Sequence, residues 1–225
     1  IFDAKNRRAN RPVARIQVDA TRIEKAGYKH FMAKEIAEQP AVLADALRHY
    51  VENSGGVNPA LRLPEGLDFT QIDRLTMVAC GTASYACHVA KYWFESLAGL
   101  PCDIDVASEF RYREPPLSAR SWALFVSQSG ETADTLAALR HAKSEGQTIA
   151  AVVNVPTSSM AREADLLLPT HAGPEIGVAS TKAFTCQLSV LAALAANLAK
   201  AKGRLTADEE KQIVRHLAEA PAAIN

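Results

Sequence analysis

From residue 75 onward, short runs of apolar residues alternate with longer amphipathic stretches. The apolar runs are continuous rather than alternating, which is typical of strands buried on both faces. They predict strands at 75–81, 102–107, 122–127, 149–155 and 166–169. The stretches between them predict helices at 84–98, 132–145, 158–164 and 180–202. This succession predicts an α/β fold with a doubly wound, five-stranded parallel sheet in the order 2-1-3-4-5.

The segment before the sheet does not show this alternation of short apolar runs and amphipathic stretches. Residues 28–53 indicate helix, and Pro40 is predicted to begin a second helix, because proline is tolerated at the first helical position. Ile36, Leu43, Leu47 and Tyr50 then share one apolar face. Residues 54–73 are rich in glycine and proline and predict a loop.

The two ends of the chain complete the organisation. Residues 1–27 are irregular and basic and predict an interdomain linker, with at most one short strand near Val13, Ile16 and Val18. A last helix is predicted to start after Thr206, which can form a capping box with Glu209. We therefore divide the chain into a linker at 1–27, helices and a loop at 28–74, and an α/β domain at 75–225.

Composition narrows the function classes. The 225 residues carry 25 Lys and Arg against 25 Asp and Glu, so the basic excess of a nucleic-acid-binding protein is missing. The longest uncharged run, 183–199, is short for a membrane span and predicts a buried helix rather than a membrane contact. The chain begins with isoleucine, not methionine, which indicates a piece of a longer protein.

The four cysteines form no C-x-x-C pair and predict reduced thiols in a cytoplasmic protein. No His and Cys pair has the spacing of a zinc site, and we expect neither a metal nor a cofactor. A dinucleotide fingerprint, a P-loop and a nucleophile elbow are also missing from the sequence.

Two loops carry the candidate chemistry. They follow the first and third predicted strands, where the strand order reverses and ligands bind in such sheets. The first reads Cys80-Gly81-Thr82-Ala83-Ser84, and the second reads Ser127-Gln128-Ser129-Gly130-Glu131-Thr132. Hydroxyls beside a helix N-terminus suit a phosphate group. The alternative is that these residues only cap helices and form turns, but two such loops at one crevice favour the phosphate site.

Charged residues near these loops have structural explanations. Glu131 is expected to complement the dipole of the helix that it precedes, and Lys182 to face solvent at a helix start. Ser180 is a candidate cap for the same helix, with Gly177 allowing a close approach of the backbone. Glu109, Arg111 and Arg113 predict a surface cluster of ion pairs. We therefore assign no catalytic residue to this chain.

Four segments together resemble the sugar-isomerase (SIS) domain family: 80–82, 107–113, 127–132 and 175–184. The resemblance implies that Ser127, Gln128, Ser129 and Thr132 hold the phosphate of a sugar phosphate, while Thr82 and the backbone of Val178 line the sugar. Many members carry a serine after the first-loop threonine. Here Ala83 stands at that position, and Ser84 beside it is the candidate contact.

Within the family, the resemblance is strongest to enzymes that make glucosamine-6-phosphate from fructose-6-phosphate and glutamine. It implies a homodimeric parent with a glutaminase domain and a second SIS copy outside this chain, and a fragment that binds without catalysing. Two other family roles stay open: a sugar-phosphate deaminase or isomerase without a glutaminase domain, and a sugar-phosphate sensor module of a transcriptional regulator.

Overall fold

The fold is described from a computed structural model, in which residues 2–9, 23–52, 60–62 and 68–225 are placed. Its centre is a five-stranded parallel sheet formed by β3 (Arg74–Ala79), β4 (Cys102–Val106), β5 (Ser121–Ser127), β6 (Thr148–Val153) and β7 (Leu166–Pro169). A short antiparallel pair, β1 (Val51–Glu52) and β2 (Ala60–Leu61), precedes it. The strand order β4-β3-β5-β6-β7 confirms the predicted order 2-1-3-4-5.

Both faces of the sheet are covered by helices. The helices are α1 (Phe31–Leu47), α2 (Thr82–Ala98), α3 (Ala107–Arg113), α4 (Ala133–Ser144), α5 (Ser159–Glu163), α6 (Lys182–Ala201) and α7 (Ala207–Ile224). Successive residues of a strand point to opposite faces, so Met77 packs with α2 and α6 whereas Val78 packs with α3, α4 and α5. The continuous apolar runs in the sequence therefore reflect two cores, one on each side of the sheet.

A third layer lies outside α6. Leu43 and Leu47 of α1 and Val214 of α7 form a separate buried cluster with Ala183 and Ala196 of α6. The phenolic hydroxyl of Tyr50, just after α1, donates to the carbonyl of Pro169 at the end of β7 (2.5 Å). Burial raises the pKa of Tyr50, which keeps this hydroxyl protonated as the donor.

Helix α6 is apolar because it is enclosed by the rest of the fold. Among the placed residues it is the one helix long and apolar enough to cross a membrane, and 72% of its most apolar window is buried inside the protein. The predicted buried helix is confirmed.

The expectation that Pro40 begins a new helix is wrong, because α1 continues through it. Proline has no N–H with which to reach the carbonyl four residues earlier, that of Ile36. The side-chain amide of Gln39 donates to this carbonyl instead (3.2 Å). Ile36 is also half-exposed and does not belong to the buried face of α1. The two residues before it, Lys34 and Glu35, are buried instead.

The predicted start of the last helix is confirmed, whereas one short helix was not predicted. The predicted capping box is present, since Thr206 accepts from the Glu209 backbone (3.3 Å) while the Glu209 carboxylate accepts from the Thr206 backbone (2.8 Å). Helix α3, which the sequence pattern does not predict, follows β4 directly. The short strand considered near Val13, Ile16 and Val18 lies outside the described residues.

Candidate functional site

The two predicted loops lie side by side, because β3 and β5 are neighbours in the sheet and both end at the same edge. Gly81 joins β3 to α2 with φ +59° and ψ −137°, a backbone conformation that residues other than glycine rarely adopt. The turn lets α2 begin at once with Thr82. The regular geometry of a parallel sheet thus brings a helix N-terminus to the crevice after each strand.

The loop after β5, residues 127–132, is called the serine loop below. It is held by its own hydroxyls. Ser127 Oγ accepts from the backbone N–H of Gly130 (3.0 Å), and Ser129 Oγ accepts from that of Glu131 (3.1 Å). Ser127 Oγ also lies 3.3 Å from Thr132 Oγ1. A hydroxyl that accepts from the backbone keeps its own proton to donate. Ser129 can therefore donate into the cavity, and so can one hydroxyl of the bonded pair Ser127 and Thr132.

Gly130 seats the serine loop against α5. Its φ is +66°, and a Cβ atom there would come within 2.6 Å of the Cβ of Ser158. The carbonyl of Gly130 accepts from the backbone N–H of Met160 (3.2 Å). Both the conformation and the close approach therefore require glycine at this position.

Glu131 complements a helix N-terminus, but not that of its own helix as expected. Its carboxylate accepts from the backbone N–H of Ser159, the first residue of α5 (2.7 Å). This backbone hydrogen bond holds the pKa of Glu131 below its usual range. The carboxylate is thus engaged with α5 rather than turned toward the crevice.

The crevice contains a cavity of about 180 Å³. Its lining side chains are all uncharged: Cys80, Thr82, Ala83, Val126, Ser127, Gln128, Ser129, Thr132, Thr135, Ser180 and Gln187. Thr82, Thr132 and Ser180 lie at or just before the starts of α2, α4 and α6, so three helix N-termini surround one cavity. At α2 and α4, unpaired backbone N–H groups and aligned dipoles favour an anion, whereas the start of α6 already holds the carboxylate of Glu175.

Five of the seven predicted contacts line this cavity, namely Thr82, Ser127, Gln128, Ser129 and Thr132. The other two lie elsewhere. Ser84 is buried in the first turn of α2, and Val178 is fully exposed outside the cavity. Ala83 lines the cavity at the position where many family members carry serine, so residue 83 offers no hydroxyl. The binding roles of all seven residues stay predictions.

Two polar lining residues were missed. Thr135 lies on α4 one turn after Thr132 and is 1% exposed. Gln187 lies on α6, is also 1% exposed, and its Oε1 has no hydrogen-bond partner among the described residues. The signal in the sequence was a glutamine inside an otherwise apolar helix, a position where a buried amide needs a reason.

The loop before α6, residues 175–181, is held by carboxylates and is called the anchored loop below. Glu175 accepts from the backbone N–H groups of Thr181 (2.8 Å) and Ala183 (3.1 Å), and so caps α6. The expectation that Ser180 caps this helix is wrong, because its hydroxyl donates to Glu175 instead (3.2 Å). The side chain of Glu175, longer than that of serine, thus reaches the N-terminus of α6 from a position before the helix.

A second carboxylate reaches the anchored loop from α1. Glu35 is 2% exposed, and its carboxylate accepts from the backbone N–H groups of Ile176 (2.6 Å) and Gly177 (3.1 Å). A Cβ at position 177 would meet Glu35 Oε2 at 2.5 Å, so the glycine allows this approach. Helix α1 thereby fixes the backbone that presents Val178.

Lys182 does not face solvent as expected. It is 3% exposed, and its ammonium donates to Glu38 Oε2 on α1 (2.7 Å). Lys34, also buried, lies 3.5 Å from the other oxygen of Glu38. The pair of Lys182 and Glu38 attaches the start of α6 to α1 by charge, and Lys34 supports Glu38 from within α1.

The charged residues after β4 form surface contacts. The predicted cluster of ion pairs is present only in part, since Arg113 pairs with Asp105 and no ion pair of Glu109 or Arg111 occurs among the described residues. Arg111 instead stacks on the ring of Tyr112, with its guanidinium 4.5 Å from the ring centroid. Glu109 accepts from the hydroxyl of Ser108 (3.2 Å).

All four cysteines are free thiols. Cys80 lines the cavity, and the other three are buried. Burial raises the pKa of Cys87 to about 12, and likewise for Cys102 and Cys186, so these thiols stay protonated near neutral pH.

Comparison with known proteins now adds a family. The SIS domain family matches residues 68–197, which include the whole sheet and all the cavity-lining residues. The chain belongs to the SIS family.

Two proteins that are similar to this chain over its whole length have the same name. The glutamine–fructose-6-phosphate aminotransferase (isomerizing) of Zymomonas mobilis is 61% identical over 225 residues, covering 100% of this chain and 37% of that protein. The protein of the same name from Brucella abortus is 54% identical with the same coverage. The chain thus spans just over a third of the length of these relatives.

Solved SIS structures agree with the fold. The C-terminal domain of glucosamine–fructose-6-phosphate aminotransferase from Francisella tularensis superposes with a TM-score of 0.82 at 40% identity, over 88% of this chain and 56% of that one. A glucosamine-6-phosphate deaminase from Thermotoga maritima has a TM-score of 0.66 at 23% identity, over 86% of this chain and 54% of that one. The second likeness concerns the fold alone.

Proposed function

We propose that this chain is the sugar-phosphate-binding part of an enzyme that makes glucosamine-6-phosphate from fructose-6-phosphate and glutamine. The observation that carries the proposal is the uncharged cavity at the starts of α2, α4 and α6, lined by the hydroxyls of the serine loop. The substrate class comes from the relatives, because their names state a sugar phosphate.

Neutral groups are sufficient to hold the phosphate. Hydrogen bonds to a charged group contribute ~1.5–3 kcal/mol each, and the serine loop offers three hydroxyls together with backbone N–H groups at the start of α4. Thr82, from the first loop, borders the same cavity and would contact the sugar. Lysine or arginine is therefore not needed for affinity.

We further propose that this chain binds without catalysing. Moving a proton between neighbouring carbons needs a base with a pKa near the working pH, and imine chemistry needs an amine. The lining residues supply hydroxyls, amides, a thiol and apolar groups. Glu131, Glu175 and Lys182 are each engaged in hydrogen bonds or ion pairs elsewhere. The reacting groups would lie in the rest of the parent protein, with its glutaminase domain and second SIS copy.

The deaminase and the regulatory sensor are the alternatives. High identity over the whole chain, including the segment before the sheet, favours the aminotransferase. The complete reading frame separates the three: an N-terminal glutaminase domain with a cysteine after the initiator methionine indicates the aminotransferase, and a helix-turn-helix domain indicates the sensor.

We also propose a homodimeric parent in the cytoplasm. The apolar surface of α6 does not support self-association, because α1, α2 and α7 cover it within the chain. Support remains on α2, where Tyr85, Val89 and Tyr92 recur along one side and are exposed by 67%, 40% and 74%. Light scattering of the parent enzyme tests the dimer, and a monomer at high concentration would contradict it.

The test of the function is calorimetric titration of the 225-residue chain. We expect binding of fructose-6-phosphate and glucosamine-6-phosphate, weaker binding of inorganic phosphate, and no binding of fructose. Incubation with fructose-6-phosphate and ammonia is expected to give no glucosamine-6-phosphate. Failure to bind any sugar phosphate would overturn the binding site, and product formation would overturn the assignment of catalysis to other domains.

A further inference from the structure

Gln187 is the polar residue of the cavity whose presence the fold does not explain. It lies in the second turn of α6, is 1% exposed, and borders the cavity. Its Oε1 atom is buried and has no hydrogen-bond partner among the described residues. An unpaired buried polar atom destabilises a protein, so such an atom beside a cavity indicates a contact that a ligand completes.

The chemistry of the atom restricts what it can contact. A side-chain carbonyl oxygen accepts hydrogen bonds and cannot donate them. An ionised phosphate offers acceptor oxygens, so it is a poor partner for Oε1. The three hydroxyls of the serine loop, those of Ser127, Ser129 and Thr132, carry donors and suit the phosphate. Gln187 therefore fits the other part of a sugar phosphate, its hydroxyls.

We propose that Gln187 is a specificity residue, whose Oε1 accepts a hydrogen bond from a hydroxyl of the bound sugar. The proposal rests on the sugar-phosphate function given above and adds to it a residue that distinguishes a sugar phosphate from phosphate alone. Sites built to bond a hydroxyl discriminate strongly against ligands without it, because the buried partner is then left unpaired.

The same helix offers a matched control. Asn197 is also an amide on α6, is 1% exposed, and has an oxygen, Oδ1, without a partner among the described residues. Its Nδ2 donates to the carbonyl of Arg62 (3.1 Å), and it does not border the cavity. A structural effect of removing a buried amide from α6 would appear at both positions, whereas a ligand effect would appear at Gln187 alone.

The experiment compares two ligands on three proteins. The wild-type 225-residue chain, Gln187→Met and Asn197→Leu are titrated with fructose-6-phosphate and with inorganic phosphate, and their urea unfolding is measured. Methionine matches the length of glutamine without its hydrogen bonds. We expect Gln187→Met to bind fructose-6-phosphate about tenfold more weakly, to bind inorganic phosphate unchanged, and to unfold at the same or a higher urea concentration. Asn197→Leu is expected to bind both ligands as wild type does.

Three other titration results overturn the proposal. Equal losses for both ligands in Gln187→Met would place the amide on the phosphate. Unchanged binding would mean that the amide is bonded to water only, and a similar loss in Asn197→Leu would mean that α6 acts as a whole. If Gln187→Met does not fold, the side-chain amide signal of Gln187 is followed by NMR in the wild type. A shift with fructose-6-phosphate but not with phosphate supports the contact, and an unmoved signal refutes it. Absence of fructose-6-phosphate binding in the wild type would instead refute the proposed function.

Discussion

The two loops of the site are held in opposite ways. Inside the serine loop, hydroxyls of its own residues accept from backbone N–H groups at most three positions away, and backbone N–H groups of α5 bond to its outer side. The anchored loop is fixed by carboxylates, one of them on α1 and 141 positions away in sequence. The hydroxyls that hold the serine loop also line the cavity, whereas the carboxylate of Glu35 that holds the anchored loop is buried on α1. Removing the first should cost binding, and removing the second should cost stability.

The largest effect is expected from the serine loop. Ser129→Ala combined with Thr132→Ala removes two hydroxyls that line the cavity. At ~1.5–3 kcal/mol per hydrogen bond to a charged group, sugar-phosphate affinity should fall by at least a hundredfold. Calorimetry measures the affinity, and urea unfolding should change by less than ~1 kcal/mol, because surface substitutions rarely do more. Unchanged affinity would remove the serine loop from the site.

The opposite result is expected from Glu35→Ala. The substitution leaves the backbone N–H groups of Ile176 and Gly177 without their buried acceptor. We expect the free energy of unfolding to fall by about 3 kcal/mol, since two partly buried N–H groups lose their bonds to a charged acceptor. Glu35→Gln, which keeps one acceptor oxygen, should lose less, and exposed Glu219→Ala should lose almost nothing. Equal stability of Glu35→Ala and wild type would contradict the role of α1 as an anchor.

Gly130→Ala tests whether the serine loop also depends on a close approach. Gly146 provides the comparison, because it too has a positive φ (+78°), but a Cβ added there would have no atom within 4 Å. Alanine at either site costs about 1–2 kcal/mol for the backbone conformation. Gly130→Ala should cost more, because the added Cβ meets Ser158. Equal urea midpoints for the two variants would show that α5 moves aside freely.

The smallest effect concerns pH and the segment leading into the anchored loop. Partial burial, and then the stacked ring of His49, hold the pKa of His171 below its usual range. Arg48 and Asp45 face the same groove. The unfolded chain therefore binds this proton more readily, so stability is present above about pH 6.5 and declines as the pH falls below it.

Asparagine at position 171 removes the titrating ring and tolerates the positive φ of 53°. His171→Asn should reduce the loss of urea stability between pH 7.5 and 5.5 relative to wild type, with exposed His88→Asn as the control. A pH dependence identical to that of wild type would exclude His171 as its source.

Local chemistry explains which parts of the molecule could be predicted. The five strands are predictable because a parallel sheet covered on both faces needs continuous apolar runs, and the box of Thr206 and Glu209 because both partners lie within one turn. The serine loop is predictable for the same reason, since its hydroxyls follow a buried strand directly.

Long-range partners explain what was missed. Neither the burial of Lys182 nor the role of Glu35 is visible in their own neighbourhoods, because Glu38 and the anchored loop reach them from elsewhere in the chain. The prediction that Pro40 begins a helix was wrong because the side chain of Gln39 replaces the backbone donor that proline lacks. Gln187 was missed because its neighbours along α6 are apolar and predict a core position. The structure shows that it borders the cavity.

The contact between Glu35 and the anchored loop bears on where the functional module begins. A chain trimmed to the matched family region, 68–197, would keep every strand of the parallel sheet and every residue that lines the cavity. It would lose Glu35 and Glu38, and with them the acceptors for the anchored loop and the partner of Lys182. Expression boundaries drawn from the family match alone would thus give the sheet without the support that α1 provides to the anchored loop, and the unit to clone has to include α1.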